Sequence, residues 1–490
     1  MRLESLLKNI DHKIVSGSAD TEIKSVRYDS RKVEKGDLFV CITGFQTDGH
    51  KYAASAVEKG AAAIVCEHEI EEIKNSGVTV VVTDNTRKAL ALISSAYYGH
   101  PADKINVIGV TGTNGKTTTT YLIKTILDNL GHKTGVIGTI GNMIGSKKLH
   151  ADRTTPESLE LQELFHEMAE DGVEYAVMEV SSHSLSLDRV AGVNYSTAVF
   201  TNLTQDHLDY HKTMENYMKA KGILFSMADK AVINIDDPAG AYMRSVSKGS
   251  VMTTGIDSED ADLRAENISV TAQGVSYTLD YDGKQYPVKL NIPGRFSIYN
   301  SLGAIGACLM NGVAMDDIIS GLALNEGVPG RFQSVPNSLG ITVIVDYAHT
   351  PDGLENILET AHEFAEKRII TVFGCGGDRD RTKRPLMAGI VGKLSDFAII
   401  TSDNPRTEDP EAILNDVEAG MIPTKCPYHK IVDRREAINE AIKMAEKDDV
   451  VIIAGKGHED YQIFADRTIH FDDVEEVSRA LAELEKQERK

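Results

Sequence analysis

The segment NVIGVTGTNGKTTTTYLI, from Asn106 to Ile123, combines glycines, a lysine and threonines in an order that suits phosphate binding. Backbone N–H groups of a glycine-rich turn and a lysine ammonium can cradle phosphate oxygens, and a hydroxyl beside the lysine can bind Mg²⁺. The position six residues before Lys116 is Val110, so this is a shorter GxxGKT variant of the usual GxxxxGKT loop. We predict a nucleoside triphosphate site here, with Thr117 as a magnesium ligand, and favour it over a chance glycine turn before a helix. Its predicted residues are Gly112, Thr113, Asn114, Gly115, Lys116, Thr117 and Thr118.

Two further side chains follow apolar runs that have the pattern of strands. Glu179 lies in YAVMEVSS, and His207 follows TAVFTNLTQD. Because the carboxyl ends of parallel strands meet at one edge of a sheet, we expect Glu179 and His207 to lie beside the phosphate loop. Magnesium prefers oxygen ligands, and a lone histidine is more often structural, so the residues alone leave the role of His207 open.

Three blocks of alternating strands and helices would position these residues, which indicates an α/β protein. The first, residues 1–98, is an α/β domain with the runs GDLFVCI, AAAIVCE and GVTVVVTD. The second, residues 99–329, repeats strand and helix from INVIGVTG to KAVINID, which predicts a mostly parallel sheet covered on both faces. Within it, alternating residues around Asp282-Gly283 predict a hairpin in a small antiparallel sheet. The third, residues 330–490, contains ITVIVDYAH, RIITVFGCGG, DFAIITSDNPR and DVVIIAGKG, which predict a Rossmann-like sheet with a ligand crevice at its carboxyl edge.

Composition narrows the class of protein. The chain has 490 residues, of which 41% are hydrophobic and 26% charged, and its formal net charge is −21. That length predicts about three domains, and the negative charge disfavours nucleic acid and anionic membranes as partners. No apolar run approaches the ~20 residues that span a bilayer, and the N-terminus lacks a signal-peptide pattern. The cysteines form no CxxC pair. We expect a cytoplasmic monomer with no nucleic-acid or membrane partner.

Eleven motifs occur in an order that resembles one known family. They are DSRKVEKGDLFV, GVTGTNGKTTT, TTPE, MEVSSHSL, TNLTQDHLDYH, KAKGILF, PGRFQ, VDYAHTP, GCGGDRDRTKRPLM, DNPR and GKGHED, and they cover essentially the whole chain. The sequence resembles the Mur ligases, ATP-dependent amide-forming enzymes of peptidoglycan precursor synthesis. The best-matching branch adds meso-diaminopimelate to UDP-N-acetylmuramoyl-L-alanyl-D-glutamate. The resemblance implies that ATP activates a substrate carboxylate as an acyl phosphate, which an amine then attacks.

The resemblance also implies roles for residues around ATP. Glu179 and His207 would bind Mg²⁺. Lys221, in KAKGILF, would be carbamylated, which turns a cation into a carboxylate; without the resemblance, a helical lysine at this position would be expected to be solvated. The neighbouring Lys219 does not align with the motif. Three more residues would contact the nucleotide, namely Asn300 for the base, Arg331 for the phosphates and Asp346 for the ribose. An asparagine that begins a helix is more commonly only an N-cap, so Asn300 has the weakest signal.

The resemblance implies substrate contacts in all three blocks. The first block would be the domain that binds the UDP-sugar. The residues matched to the UDP-linked peptide are Ser30, Thr154, Thr155, Ser181 and Arg189. Those matched to diaminopimelate are Arg379, Asp403, Asn404, Pro405, Arg406, Gly455 and Glu459. Arg406 would hold the far carboxylate bidentately and Glu459 the far ammonium. The hydroxyl groups could equally cap turns, and DNPR could be a turn with an exposed arginine.

Three other functions are compatible with part of this pattern. Lysine-adding Mur ligases lack an arginine at the position of Arg406. Folylpolyglutamate synthase shares the phosphate loop and the modified lysine, but would not carry DSRKVEKGDLFV or DNPR. A P-loop switch or motor would cleave ATP with no amine acceptor, so phosphate release that depends on the acceptor separates it from a ligase.

Overall fold

The computed structural model describes residues 1–44, 47–151, 153–325 and 327–488. The chain divides into two compact units, Met1–Arg264 with Asn300–Gly321, and Ala265–Tyr299 with Leu322–Lys490. Among the described residues, no helix is both long and apolar enough to cross a bilayer.

The first unit begins with a small sheet flanked by helices. Its strands are β1 (Lys13–Ser16), β2 (Val26–Arg27), β3 (Leu38–Val40), β4 (Ala63–Cys66) and β5 (Thr79–Val82), and its helices are α1 (Leu3–Leu7), α2 (Ala53–Glu58) and α3 (Thr86–Tyr97). The strand order is β1-β5-β4-β3-β2, in which only the β1–β5 pairing is antiparallel. Helix α3 begins where the side chain of Asn85 accepts from the N–H of Lys88, and it buries Leu90 and Ile93 against the sheet. This region therefore has the α/β organisation that its β-rich runs predict.

A second, larger sheet follows. Its strands are β6 (Asn106–Thr111), β7 (Thr134–Ile137), β8 (Asn142–Ile144), β9 (Lys147–Leu149), β10 (Tyr175–Glu179), β11 (Thr197–Phe200), β12 (Lys230–Asn234), β13 (Ser250–Gly255) and β14 (Leu263–Thr271). The helices around it are α4 (Lys116–Asn129), α5 (Ser158–Glu170), α6 (Ser182–Ser186), α7 (Leu208–His211), α8 (Met214–Met227), α9 (Gly240–Val246), α10 (Arg295–Met310) and α11 (Met315–Ala323).

The order of these strands decides which loops meet. Strands β13, β12, β11, β6, β10 and β7 lie side by side and parallel, and β8 and β9 continue the sheet antiparallel beyond β7. Glu179, at the end of β10, pairs with Val110 of β6, and Phe200, at the end of β11, pairs with Thr111. The segments after β6, β10 and β11 therefore leave the same edge of the sheet, as predicted.

The second unit contains the predicted hairpin. Strands β15 (Gly274–Tyr281) and β16 (Lys284–Leu290) pair antiparallel with Tyr281 opposite Lys284. Asp282 and Gly283 both have positive φ, 51° and 70°, as the tight turn requires.

The same unit contains a largely parallel sheet. Its strands are β17 (Gln333–Ser334), β18 (Thr342–Asp346), β19 (Ile369–Cys375), β20 (Phe397–Ser402), β21 (Tyr428–Lys430) and β22 (Val450–Ala454), followed by the hairpin of β23 (Tyr461–Ile463) and β24 (Thr468–His470). Its helices are α12 (Pro351–His362), α13 (Lys383–Leu394), α14 (Pro410–Met421), α15 (Arg434–Met444) and α16 (Asp473–Glu488). The order β17-β18-β22-β19-β20-β21 brings the carboxyl ends of β18, β22, β19 and β20 to one edge. The carboxyl ends of these strands therefore meet at one edge, where the sequence predicts a ligand crevice.

A buried ion pair fixes the last helix to this sheet. Arg434 donates to both carboxylate oxygens of Asp473, at 2.8 and 2.7 Å, and both side chains are fully buried. Asp473→Asn would leave a buried guanidinium without its counter-ion, so we expect a loss of about 3–5 kcal/mol of unfolding free energy in urea titration. In the exposed pair of Arg2 and Asp20, the matched change Asp20→Asn should cost less than about 1 kcal/mol. Equal losses from the two variants would contradict this account of the buried pair.

Candidate active site

The phosphate loop joins β6 to the start of α4. Gly115 has φ 83°, and a Cβ there would lie 2.2 Å from Oδ1 of Asn300. At Gly112 a Cβ would lie 1.8 Å from Oγ1 of Thr201. The Nζ of Lys116 donates to the carbonyls of Gly112, at 3.0 Å, and Thr113, at 2.7 Å, so it turns back over the loop. The loop thus has glycine where close packing excludes any other residue, with a cation at its centre.

Residues after β11 hold the loop in place. Asn202 Oδ1 accepts from the N–H of Asn114 at 2.9 Å, and Thr201 Oγ1 donates to the Asn114 carbonyl at 2.6 Å. Thr117 and Thr118 lie buried in the first turn of α4, at the positive end of the helix dipole. The predicted loop residues are therefore brought together around one helix N-terminus.

Asn300 contacts this loop from α10, where it is the sixth residue and so does not cap the helix. Its Oδ1 accepts from Thr119 Oγ1 at 3.4 Å, and its buried Nδ2 has no hydrogen-bond partner among the described residues. A buried amide donor without a partner is costly, which suits a contact with a ligand acceptor at this position.

Lys221 lies on α8, buried beneath the phosphate loop. Its Nζ donates to the Gly112 carbonyl at 2.6 Å and lies 4.6 Å above the ring of Tyr217. Burial, and then the charge of Lys116, lowers the pKa of Lys221 well below its ordinary value. Lys219, by contrast, is exposed and pairs with a glutamate one turn away. The two lysines of the KAK motif therefore occupy opposite environments.

Glu179 and His207 lie at the carboxyl edge. The carboxylate of Glu179 is buried and accepts from both the N–H and the hydroxyl of Thr139, at 2.9 and 3.0 Å. His207 has φ 53° and lies 3.3 Å from Asp206. Burial lowers the pKa of His207, although Asp206 acts in the opposite direction, and this favours the neutral ring that can donate a lone pair to a metal. Among the described residues no three His, Cys, Asp or Glu side chains assemble as a metal cluster.

The hydroxyl residues predicted to contact the peptide meet beside Glu179. Thr154 Oγ1 lies 3.0 Å from Thr139 Oγ1, and Thr155 Oγ1 donates to the Glu179 carbonyl at 2.8 Å. Ser181 caps α6 by accepting from the N–H of Ser184, so the capping role considered from the sequence also applies. Ser30 is not among these contacts; it is half-buried in the first sheet region, where it begins a 3₁₀ turn.

In the second unit, Asp346 ends β18 and accepts from the N–H groups of Phe332, at 2.6 Å, and Ala348, at 2.8 Å. Burial raises the pKa of Asp346, while Arg331 acts in the opposite direction. The guanidinium of Arg331 lies 4.9 Å from the ring centre of Tyr347. The two predicted nucleotide residues of this block thus lie at the same strand end.

The DNPR loop follows β20. Arg406 has φ 53°, and its guanidinium donates to the carbonyls of Gly377, at 2.8 Å, and Asn404, at 3.4 Å. It has no carboxylate partner in the described parts of the chain. Arg379 is exposed. A Cβ added at Gly376 would lie 2.8 Å from Nη1 of Arg406 and 3.7 Å from Cγ of Arg379, so both side chains lie beside this glycine. Two arginine side chains therefore lie beside one glycine loop.

Glu459 lies on the other side of Asn404. Its carboxylate accepts from Asn404 Nδ2 at 2.9 Å and from the Tyr347 hydroxyl at 3.4 Å. Gly455 has φ 122° and lies between β22 and this carboxylate in the chain. Asp403 is buried, and its carbonyl accepts from the amide of Gln462 at 2.7 Å. The structure thus brings the residues predicted to contact the added amino acid to one edge, where the guanidinium of Arg406 and the carboxylate of Glu459 both contact Asn404.

Comparisons with known proteins identify the family to which the chain belongs. Three family descriptions match it: "Mur ligase family, catalytic domain" over residues 22–98, "Mur ligase middle domain" over 110–308, and "Mur ligase, glutamate ligase domain" over 330–457. The chain belongs to the Mur ligase family. The resemblance seen in the eleven motifs is confirmed.

This Mur ligase is similar to two named bacterial proteins over its full length. It is 51% identical over 487 residues to one from Clostridium botulinum and 49% identical over 488 residues to one from Clostridioides difficile, covering 99% of this chain and 100% of each relative. Both relatives are named UDP-N-acetylmuramoyl-L-alanyl-D-glutamate–2,6-diaminopimelate ligase.

Solved structures support the same family. One bearing that name has a TM-score of 0.73 and 33% identity, covering 99% of both chains. MurF from Acinetobacter baumannii has a TM-score of 0.62 and 20% identity, covering 93% of this chain and 95% of that one, and shows the fold alone. Together with the parallel sheets, these likenesses confirm the predicted α/β fold of the Mur ligases.

Sequence reasoning missed an arginine cluster in this Mur ligase. Glu157 is buried, and its Oε2 lies 3.2 Å from Arg189 Nε, 3.5 Å from an Nη of Arg87 and 3.7 Å from one of Arg153. Arg87 also donates to the Thr43 carbonyl, which ties the first sheet region to this cluster. Glu157 is the acid of the TTPE motif, whereas Arg87 lies in α3, where nothing in the sequence spacing indicates Glu157 as its partner. Three cations around one anion leave a net positive site beside the predicted peptide contacts.

Proposed function

We propose that this Mur ligase is of the MurE type and joins meso-diaminopimelate to UDP-N-acetylmuramoyl-L-alanyl-D-glutamate at the expense of ATP. One structural observation carries the choice of amino acid: Arg406, which forms no ion pair with a carboxylate in the described residues, and the carboxylate of Glu459 both contact Asn404, Arg406 at its backbone carbonyl and Glu459 at its side-chain amide. A far-end centre with one carboxylate and one ammonium matches this pair, whereas lysine would leave Arg406 without an anion. The names of the full-length relatives support the same assignment.

In the first step, a carboxylate oxygen of the terminal glutamate attacks the γ-phosphorus of ATP, and ADP leaves. Two anions must approach, so the chain has to supply positive charge. Lys116 and the N-terminus of α4 would bind the ATP phosphates at the loop, and the guanidinium of Arg331 would bind them as well. Arg189, in the net positive cluster around Glu157, would hold the glutamate end of the precursor.

In the second step, the amine of diaminopimelate attacks the acyl carbon, inorganic phosphate leaves, and the nitrogen loses a proton. The pair of Arg406 and Glu459 would fix the far end of the amino acid, so that its near amine is presented to the acyl phosphate. Held geometry of this kind replaces a bimolecular encounter and supplies much of the rate.

We propose that the ATP site also holds a magnesium ion and a modified lysine. Thr117, Glu179 and His207 would hold the ion together with a carbamate on Lys221, and the ion would supply charge stabilisation to the transferring phosphoryl group. The buried Lys221 Nζ, with its lowered pKa, meets the requirement for carbamate formation, since the neutral amine is the form that adds CO₂. Asn300 and Asp346 would contact the base and ribose, each through a polar group at the position described above.

We further propose the division into domains 1–98 for the UDP-sugar, 99–329 for ATP and 330–490 for the amino acid. Ser30, Thr154, Thr155 and Ser181 would contact the UDP-linked peptide, and Arg379, Asp403, Pro405 and Gly455 would complete the amino-acid site. A cytoplasmic location would supply both ATP and the nucleotide-linked precursor.

The decisive assay offers the purified protein ATP, Mg²⁺ and the UDP-linked dipeptide with meso-diaminopimelate, L-lysine or ornithine in parallel. We expect one ADP and one phosphate per amide formed, and a kcat/KM for lysine at least about 10²-fold below that for diaminopimelate, because lysine leaves Arg406 unpaired. Equal turnover with lysine would favour the lysine-adding alternative. Full ATP cleavage without an amine would favour an acceptor-independent ATPase.

A further inference from the structure

Lys456, in the loop that follows β22, is fully buried. Its Nζ lies 3.3 Å from Glu459 Oε2, 3.6 Å from Asp403 Oδ1 and 3.4 Å from Asn404 Oδ1. An ammonium removed from water is costly unless opposite charges and hydrogen-bond acceptors surround it. These three contacts supply both, and they all come from residues of the amino-acid site.

The contacts form a connected network. Asn404 uses its Oδ1 for Lys456 and for the N–H of Ile463, at 3.0 Å, and its Nδ2 for Glu459, at 2.9 Å. The amide therefore cannot rotate without losing hydrogen bonds on both ends. Lys456 also contacts Glu459 directly, so that Lys456, Asn404 and Glu459 each contact the other two. The orientation of the Glu459 carboxylate therefore depends on the lysine.

The charges of the pocket also depend on Lys456. The nearby Arg434 is balanced by its two hydrogen bonds to Asp473. This leaves two carboxylates, Asp403 and Glu459, and among the described residues only Lys456 forms an ion pair with both of them. With the lysine, these carboxylates have an excess of one negative charge; without it, the excess would be two.

We propose that Lys456 is a positioning residue that sets the specificity of the amino-acid site, a proposal that rests on the proposed function. It orients Glu459 and Asn404, and it leaves a single unbalanced negative charge that matches the one ammonium at the far end of the substrate. Arg406 then receives the carboxylate of the same centre. A zwitterionic end is thereby favoured over a purely cationic one.

The test is Lys456→Met, which keeps an unbranched side chain of similar length but removes the charge and the donors. We expect the KM for diaminopimelate to rise at least about tenfold, with kcat changed less than about threefold and the KM values for ATP and the UDP-linked dipeptide within about twofold. Because the pocket becomes more negative, the ratio of kcat/KM for diaminopimelate to that for lysine should fall. A merely structural role would raise all three KM values and leave this ratio unchanged.

Lys456→Gln is the second variant, since it retains N–H donors without the charge. It should show the same fall in the diaminopimelate-to-lysine ratio, with a smaller rise in KM. Lys443→Met, an exposed lysine on α15, is the control and should behave as wild type. An unchanged KM and ratio in both Lys456 variants would overturn the proposal, as would loss of the folded state in both, measured by circular dichroism. If wild type itself forms no amide from diaminopimelate, the proposed function fails instead.

Discussion

Lys221→Met should lower the rate of ligation by about 10³-fold or more, whereas Lys219→Met should stay within about twofold of wild type. The two lysines are two residues apart on α8, which makes them a matched pair. Lys221 is 1% exposed and bonded to the phosphate loop, while Lys219 pairs at 2.6 Å with the exposed Glu215. Of these two lysines, only Lys221 contacts the phosphate loop, through the Gly112 carbonyl.

The expected loss follows from the chemistry of the buried amine. An ordinary lysine, with a pKa of ~10.4, holds less than about 0.1% neutral amine at pH 7. Burial and the neighbouring charge of Lys116 lower the pKa of Lys221, so the neutral form becomes available. Its nitrogen can then bond to the carbon of CO₂ and lose a proton, giving a carbamate. A cation that would repel Mg²⁺ is replaced by an oxygen ligand of the kind that Mg²⁺ prefers.

Two measurements check this prediction besides the rates. The intact mass of the active enzyme at neutral pH should exceed the sequence mass by one CO₂ and return to it after acid treatment, with the adduct on the peptide that contains Lys221. Removing CO₂ from the buffer should slow ligation, and adding bicarbonate should restore it. An active Lys221→Met variant, or a fully active enzyme without the adduct, would contradict the assigned role.

The position of the catalytic edge was predictable from the sequence because it depends on local pattern. Apolar runs that end in polar residues mark the carboxyl ends of parallel strands, and this placed Glu179 correctly at the end of β10, opposite Val110 of β6. The hairpin at Asp282-Gly283 was predictable for the same reason, since two positive φ angles require those residue types.

The environments of the charged side chains were not predictable in this way. Neither Lys221 nor Lys456 has an acidic residue next to it in the sequence, and the burial of both results from segments that pack on them from elsewhere. The partner of Lys221 is a carbonyl 109 residues earlier, and those of Lys456 lie at Asp403 and Asn404 as well as locally. The family motif could mark Lys221, but it gave no reason to single out Lys456 or the contact between Arg87 and Glu157.

Arg406→Met should lower kcat/KM for meso-diaminopimelate by about 10²-fold, roughly 3 kcal/mol, while the low kcat/KM for lysine changes less than about threefold. The guanidinium donates to two carbonyls, of Gly377 and Asn404, and has no carboxylate partner among the described residues. The far carboxylate of the substrate would supply that partner. Parallel kinetics with the two amino acids measure the loss directly, since only one of them has the carboxylate.

Two variants show whether the loss comes from bidentate recognition. Arg406→Lys keeps a positive charge but not the planar fork, so it should recover only part of the activity with diaminopimelate. Arg467→Met removes an exposed arginine that pairs at 3.2 Å with Asp466, and it should leave both substrates unaffected. If Arg406→Met still prefers diaminopimelate by the wild-type factor, the carboxylate is held elsewhere, and Arg379, beside the same glycine loop, becomes the residue to change. A full recovery in Arg406→Lys would instead mean that charge alone selects the substrate, because the fork geometry is then unnecessary.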